Sequence, residues 1–187
     1  LTNVTIGNSV TSIGENAFFE CYSLTSINIP DSVTSIENGT FCSCYSLTSI
    51  TIPDNVTTIE EGAFTCCESL TNITIPDNVT SIGWGAFSGC INLESINIPD
   101  GVTSIGEYTF FNCRKLTSII IPDSVTSIGY QAFANCSILT NVYCKATTPP
   151  TAISYDYDDM WHFFDNNNFG RKIYVPHNSV EAYKSAE

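Results

Sequence analysis

The chain has 187 residues, 43% of them hydrophobic and 13% charged, which is apolar enough to close a core and excludes a disordered polypeptide. Nineteen acidic residues stand against 6 basic ones, and the resulting net charge of −13 disfavours nucleic acid or an anionic membrane surface as a partner. No run reaches the roughly 20 apolar residues of a membrane-spanning helix, and no basic-then-apolar leader opens the chain.

From the first residue the chain repeats itself. Leucine stands at Leu1, Leu24, Leu47, Leu70, Leu93, Leu116 and Leu139, always 23 residues apart. Each unit then runs in the same order. An isoleucine pair comes first (Ile27 and Ile29, Ile50 and Ile52, Ile73 and Ile75), followed by proline and aspartate. A valine (Val33, Val56, Val79), an isoleucine (Ile36, Ile59, Ile82), a phenylalanine (Phe41, Phe64, Phe87) and a cysteine three residues later complete it. The alternation Leu-x-x-Ile-x-Ile predicts a short strand, which Pro30 and its equivalents end because proline has no N–H for a ladder. One such coil has no partner for its apolar face, so successive coils must stack into a solenoid.

After Cys144 the period stops at Thr147-Thr148-Pro149-Pro150, a breaker, followed by the acidic aromatic run Tyr155–Phe164. Ile173-Tyr174-Val175-Pro176 echoes the repeat's strand, and a helix is expected from Asn178 or Ser179, with Asn178 and Glu181 forming a capping box. Residues 1–143 are therefore expected to be the solenoid, and 144–187 a cap over its last coil. Leu1 falls inside a unit, so the repeat is expected to continue upstream, and a secretion signal or anchor is expected outside this segment.

The frame Phe-x-x-Cys-x-x-Leu-x-x-Ile-x-Ile resembles the leucine-rich repeat. Its 23-residue form with Ile-Pro-Asp-x-Val-Thr-x-Ile-Gly-x-x-Ala-Phe is similar to the BspA-like repeats of bacterial and some protozoal surface proteins. The resemblance implies a curved right-handed coil, mostly strand and irregular with little helix, carrying short parallel strands on its concave face. It also implies a secreted or cell-surface protein, some of whose relatives are adhesins for host matrix proteins. Departures from the frame are few. Thr40 and Thr109 replace alanine, and Glu37 and Glu60 stand where other coils have Gly14, Gly83, Gly106 and Gly129, so that slot does not require a positive φ.

Six of nine cysteines fill one apolar row, where a thiol packs as a small hydrophobe; Cys42 and Cys66 lie off it and are expected to be exposed. There is no Cys-x-x-Cys pair, and the cysteines are interchangeable rungs, so neither a zinc site nor a Cys–His nucleophile is expected. The aspartate row Asp31, Asp54, Asp77, Asp100 and Asp123 is read as capping turn N–H groups rather than as a calcium ladder. No catalytic residue, cofactor or metal is assigned.

Alternation turns Ser26, Asn28, Ser49, Thr51, Asn72, Thr74, Ser95 and Asn97 outward, and later Ser118, Ile120, Asn141 and Tyr143. The expected function is adhesion to an extracellular protein or glycan. Asn97, Ile120 and Tyr143 converge with Tyr155, Tyr157 and Trp161 as the candidate surface. The alternatives are a structural spacer in a larger surface protein and a carbohydrate-binding module built on the aromatic run.

Overall fold

The computed structural model describes residues 2–153, 164–167 and 170–185. The chain is a parallel-strand solenoid of about seven turns, mostly strand and irregular, with one short helix at its C-terminal end.

Each Leu-x-x-Ile-x-Ile segment forms one rung of a first ladder, as its alternation predicts. Asn3–Thr5 pairs with Ser26–Asn28 and that with Ser49–Thr51; Asn72–Ile73 pairs with Ser95–Ile96; Ser118–Ile121 pairs with Asn141–Cys144. All are parallel and in register at a shift of 23 residues, so Ile27 lies on Ile50 and Ile119 on Val142. A second ladder, not foreseen from the sequence, runs through Ser35–Ile36, Thr58–Ile59 and Ser81–Ile82, and again through Ser104–Ile105, Ser127–Gly129 and Thr151–Ile153. Its rungs are mostly two residues long, too short to show alternation.

The third side of each coil is a run of turns rather than a strand, yet it is also hydrogen-bonded from coil to coil. The N–H of Phe41 donates to Ala63 O at 2.8 Å, that of Phe64 to Ala86 O at 2.8 Å, and that of Phe87 to Thr109 O at 2.9 Å. The phenylalanine rings stack inside this wall from Phe18 to Phe133, centroids 5.3–5.7 Å apart and planes within 13°. Phe41, Phe64, Phe87, Phe110 and Phe133 are fully buried, and each contributes about 1.5–3 kcal/mol by leaving water.

The cysteine row does more than fill space. Each thiol donates to the carbonyl of the preceding coil's phenylalanine: Cys44 to Phe18, Cys67 to Phe41, Cys90 to Phe64, Cys113 to Phe87 and Cys136 to Phe110, at 3.2–3.4 Å. All nine cysteines are free thiols. Thr40 and Thr109, in the alanine slot, are buried but satisfied, each hydroxyl donating 2.8 Å to the carbonyl three residues before it.

Two slots per coil take a left-handed backbone. One holds Asn16, Gly39, Gly62, Gly85, Tyr108 and Gln131; the other Glu20, Ser43, Cys66, Gly89, Asn112 and Asn135. The slot shared by Gly14 and Glu37 is not among them, in line with the expectation. Gly129 in that slot is needed for close approach instead, since a Cβ there would lie 2.4 Å from the Glu107 nitrogen.

Beyond residue 144 the stacking continues with altered spacing. Lys172–Tyr174 pairs with Asn141–Tyr143, and Thr151–Ile153 adds the last rung of the second ladder. Phe164 stacks on Phe133 at 5.4 Å, Asn166 takes the left-handed slot at φ 55°, and Asn167 stands in the cysteine position, donating to Phe133 O at 3.0 Å. The helix differs from the sequence reading. A 3-10 turn at His177–Ser179 leads into an α-helix over Val180–Lys184, and no side-chain cap forms at either start. Ser179 N–H bonds Pro176 O within that turn, and the Glu181 carboxylate pairs with Lys184 at 3.0 Å instead of closing a capping box.

Candidate functional site

The first ladder presents its outward side chains in two straight rows. Ser26, Asn28, Ser49, Thr51, Asn72, Thr74, Ser95 and Asn97 are exposed as expected; Ser118 and Asn141 are half-buried. The Asn97 amide is already engaged, donating to Ile75 O at 3.0 Å and accepting from Ile75 N–H at 3.2 Å, so it extends the ladder where the strands end.

At the C-terminal end the row changes character. Ile120 is paired with Tyr143 and Tyr143 with Tyr174, giving three consecutive large side chains that are 50%, 40% and 42% exposed. The two tyrosine rings stack at 4.6 Å and 13°, so their faces cover each other and their edges and hydroxyls meet solvent. Tyr174 Oη donates to Asn141 Oδ1 at 3.3 Å, and Lys172 lies opposite Asn141. Tyr174 was not singled out from sequence, although the echo Ile173-Tyr174-Val175-Pro176 carries the signal. Matched to Val142-Tyr143-Cys144, it sets Tyr174 on the outward row. Tyr155, Tyr157 and Trp161 lie outside the described residues. Phe164, at the end of that aromatic run, serves as a further rung of the phenylalanine stack and lies under the Arg171 guanidinium, 4.3 Å from its ring centroid.

Behind this end of the ladder is a cavity of about 630 Å³ lined by Ile121, Ile128, Val142, Cys144, Phe164, Arg171, Val175 and Tyr183, among others. Tyr183 Oη closes one edge by donating to Ala146 O at 3.0 Å. Burial lowers the Arg171 pKa from its ordinary value and pushes the Cys144 thiol up to about 11.

Two expectations are corrected. The row Asp31 to Asp123 does not cap turn N–H groups. Its side chains are exposed, the turns close through backbone bonds such as Val33 N–H to Pro30 O at 3.0 Å, and it is the Asp31 and Asp54 backbone carbonyls that are used, by Asn55 and Asn78 at 2.8 Å. Cys42 and Cys66 are half-buried rather than exposed, because both sit in the tightly turned wall. Among the described residues no group of histidine, cysteine and carboxylate side chains is arranged to hold a metal ion. Desolvation pushes Cys44, Cys90 and Cys136 up to about 12, so these thiols are not nucleophiles near neutral pH.

The turn wall carries a second cluster that the sequence reading missed. Tyr108 meets Trp84 at 5.5 Å, Phe111 at 5.6 Å and Tyr130 at 5.6 Å, all edge to face. Trp84 is 48% exposed. The cluster spans three coils and depends on the left-handed turn at Tyr108, which spacing within one unit does not reveal.

A family model for the BspA type leucine rich repeat region matches in 6 copies, over residues 1–94 and 57–156. No curated protein matches the sequence. Among solved structures the chain is similar to a leucine-rich repeat protein of T. pallidum, at 24% identity and a TM-score of 0.71, over 100% of this chain and 77% of that one. It is also similar to a leucine-rich repeat protein of Bacteroides ovatus, at 27% identity and a TM-score of 0.52, over 100% of this chain and 64% of the other. The pneumococcal vaccine antigen PcpA matches at 19% identity and a TM-score of 0.66, over 93% of this chain and 41% of that one. The chain thus spans less than two thirds of the last two proteins.

Proposed function

We propose that this chain, which belongs to the BspA-type leucine-rich repeat family, is a non-catalytic binding module that holds an extracellular protein or glycan against the C-terminal end of its first ladder. The observation that carries this reading is the Ile120, Tyr143, Tyr174 row. The earlier rungs of the ladder display small polar side chains of the kind water solvates, whereas its last rungs expose large side chains, with Tyr143 on a strand paired on both sides, to that of Ile120 and that of Tyr174. Rigid strands carrying tyrosines lose little entropy on contact, which favours binding there over the rest of the face. Residues 144–187 serve in this reading as the segment that both closes the solenoid and supplies Tyr174. A cell-surface or secreted setting suits the molecule, since its row thiols are buried and protonated and need no reducing compartment to stay free. No helix among the described residues is long and apolar enough to cross a membrane.

The test is a screen of matrix proteins and glycans with the wild-type chain beside Tyr143→Ala/Tyr174→Ala. Saturable binding that falls at least 10-fold in the double variant is expected. Loss with Trp161→Ala instead would move the site to the aromatic run, and the absence of any saturable partner would leave the spacer role.

A further inference from the structure

The turn wall carries an arrangement that stacking of the coils does not require. In the left-handed slot the first four coils use Asn16, Gly39, Gly62 and Gly85, yet the fifth uses Tyr108 at φ 55°. A bulky residue in that conformation is a strained choice, and such strain is retained where the side chain serves a purpose. The neighbouring slot holds Glu61, then Trp84, then Glu107, then Tyr130, so carboxylates and rings alternate along the wall, one rung of about 4.8 Å apart. Unlike the buried phenylalanines, whose rings cover one another face to face, half-buried Tyr108 meets its neighbours edge to face at 62–77°, and beside it Trp84 remains 48% exposed. Glu61 is exposed and Glu107 half-buried, and among the described residues neither forms a salt bridge. The wider field points the same way: residues 1–113 carry twelve carboxylates and no lysine or arginine.

From this juxtaposition we infer that the turn wall, on a different face from the first ladder, docks a basic extended segment of a partner polypeptide. Its arginine or lysine heads lie over the Trp84 and Tyr108 rings and pair with Glu61 and Glu107. Open aromatic faces attract cations through the ring quadrupole, and guanidinium groups both stack and pair with carboxylates. The acidic wall accelerates the encounter and makes it salt-dependent, whereas the rings fix where the segment sits.

The experiment uses a fluorescein-labelled (Arg-Gly)5 peptide, with (Glu-Gly)5 and (Ser-Gly)5 as controls, followed by anisotropy at low and moderate salt. Trp84 emission, read in a Trp161→Phe background, reports the site itself. Saturable binding of the arginine peptide alone, with a change in Trp84 emission, is expected. Tyr108→Gly, which restores the residue type of Gly85 to that slot, should weaken it about 10-fold without lowering the thermal midpoint, and Glu61→Gln/Glu107→Gln should weaken it similarly. Tyr143→Ala/Tyr174→Ala should leave it unchanged, which separates this inference from the ladder-face reading. The inference is overturned if the peptide fails to bind, or if Tyr108→Gly has no effect. It is equally overturned if Asp54→Asn/Asp77→Asn weakens binding as much as the glutamate pair does, or if a neutral oligosaccharide perturbs Trp84 where the peptide does not.

Discussion

At the scale of single residues, the cysteine row shows how one side chain can be both packing and hydrogen-bond donor. Each buried thiol gives its proton to a phenylalanine carbonyl of the coil before it, and burial raises Cys90 and Cys136 from an ordinary value of 9.0 to about 12. Because the protonated form is the one the fold holds, this stability is complete below pH 9 and is lost as the pH rises from about 9 towards 12. Each such thiol then contributes a slope of about 1.4 kcal/mol per pH unit. Melting temperature is expected to be flat from neutrality to pH 8 and to fall steeply above 9, and a thiol reagent at pH 8 should reach half-buried Cys21, Cys42 and Cys66 well before the five fully buried row cysteines, Cys44, Cys67, Cys90, Cys113 and Cys136. Equal reactivity of all nine would contradict the burial. Much of this was legible: the 23-residue period placed Leu, Ile, Val, Phe and Cys in apolar rows, and those rows are the core. The carbonyl that each thiol meets was not, because it belongs to a residue 26 positions earlier and is set by how coils overlap.

At the scale of elements, the solenoid is held by three stacked walls, of which the sequence showed one. Leu-x-x-Ile-x-Ile advertises its strand through alternation over several residues, whereas Ser35–Ile36 and its equivalents are too short to do so, and the turn wall has no strand pattern at all. The contacts between walls make two contrasting predictions. Gly129→Ala brings a Cβ to 2.4 Å from backbone of the preceding coil and should cost about 1–3 kcal/mol, while Gly14→Ala, with nothing within 4 Å, should be near neutral in a denaturant melt. Phe87→Ala opens the stack between Phe64 and Phe110 and should cost about 3–5 kcal/mol. The helix boundary was legible only to within a turn, since the sequence displayed a capping pattern at Asn178 and Glu181, whereas a 3-10 turn leads into the helix and no side-chain cap forms. For Tyr174 the echo Ile173-Tyr174-Val175-Pro176 carries the outward placement, but its neighbour Tyr143 is known only from the pairing of Lys172–Tyr174 with Asn141–Tyr143, because the sequence between them breaks the period.

At the scale of the whole molecule, a regular scaffold makes irregularity informative. Coils built on the same core rows differ in what they turn outward: Ile120, Tyr143 and Tyr174 are exposed on the first ladder, Trp84 is exposed on the turn wall beside half-buried Tyr108 and Tyr130, and Tyr22 and Tyr45 form a further exposed, stacked pair. Exposed rings on rigid walls are the feature on which the proposed binding role rests. The ladder-face reading is tested most directly by scanning that face for affinity towards the best partner from the screen, with paired serine substitutions at its two ends. The account predicts that Tyr143→Ser/Tyr174→Ser raises Kd about 30-fold, a loss of about 2 kcal/mol, while Asn28→Ser/Thr51→Ser changes it less than 2-fold. Equal losses at both ends, or a loss confined to Asn28 and Thr51, would contradict it.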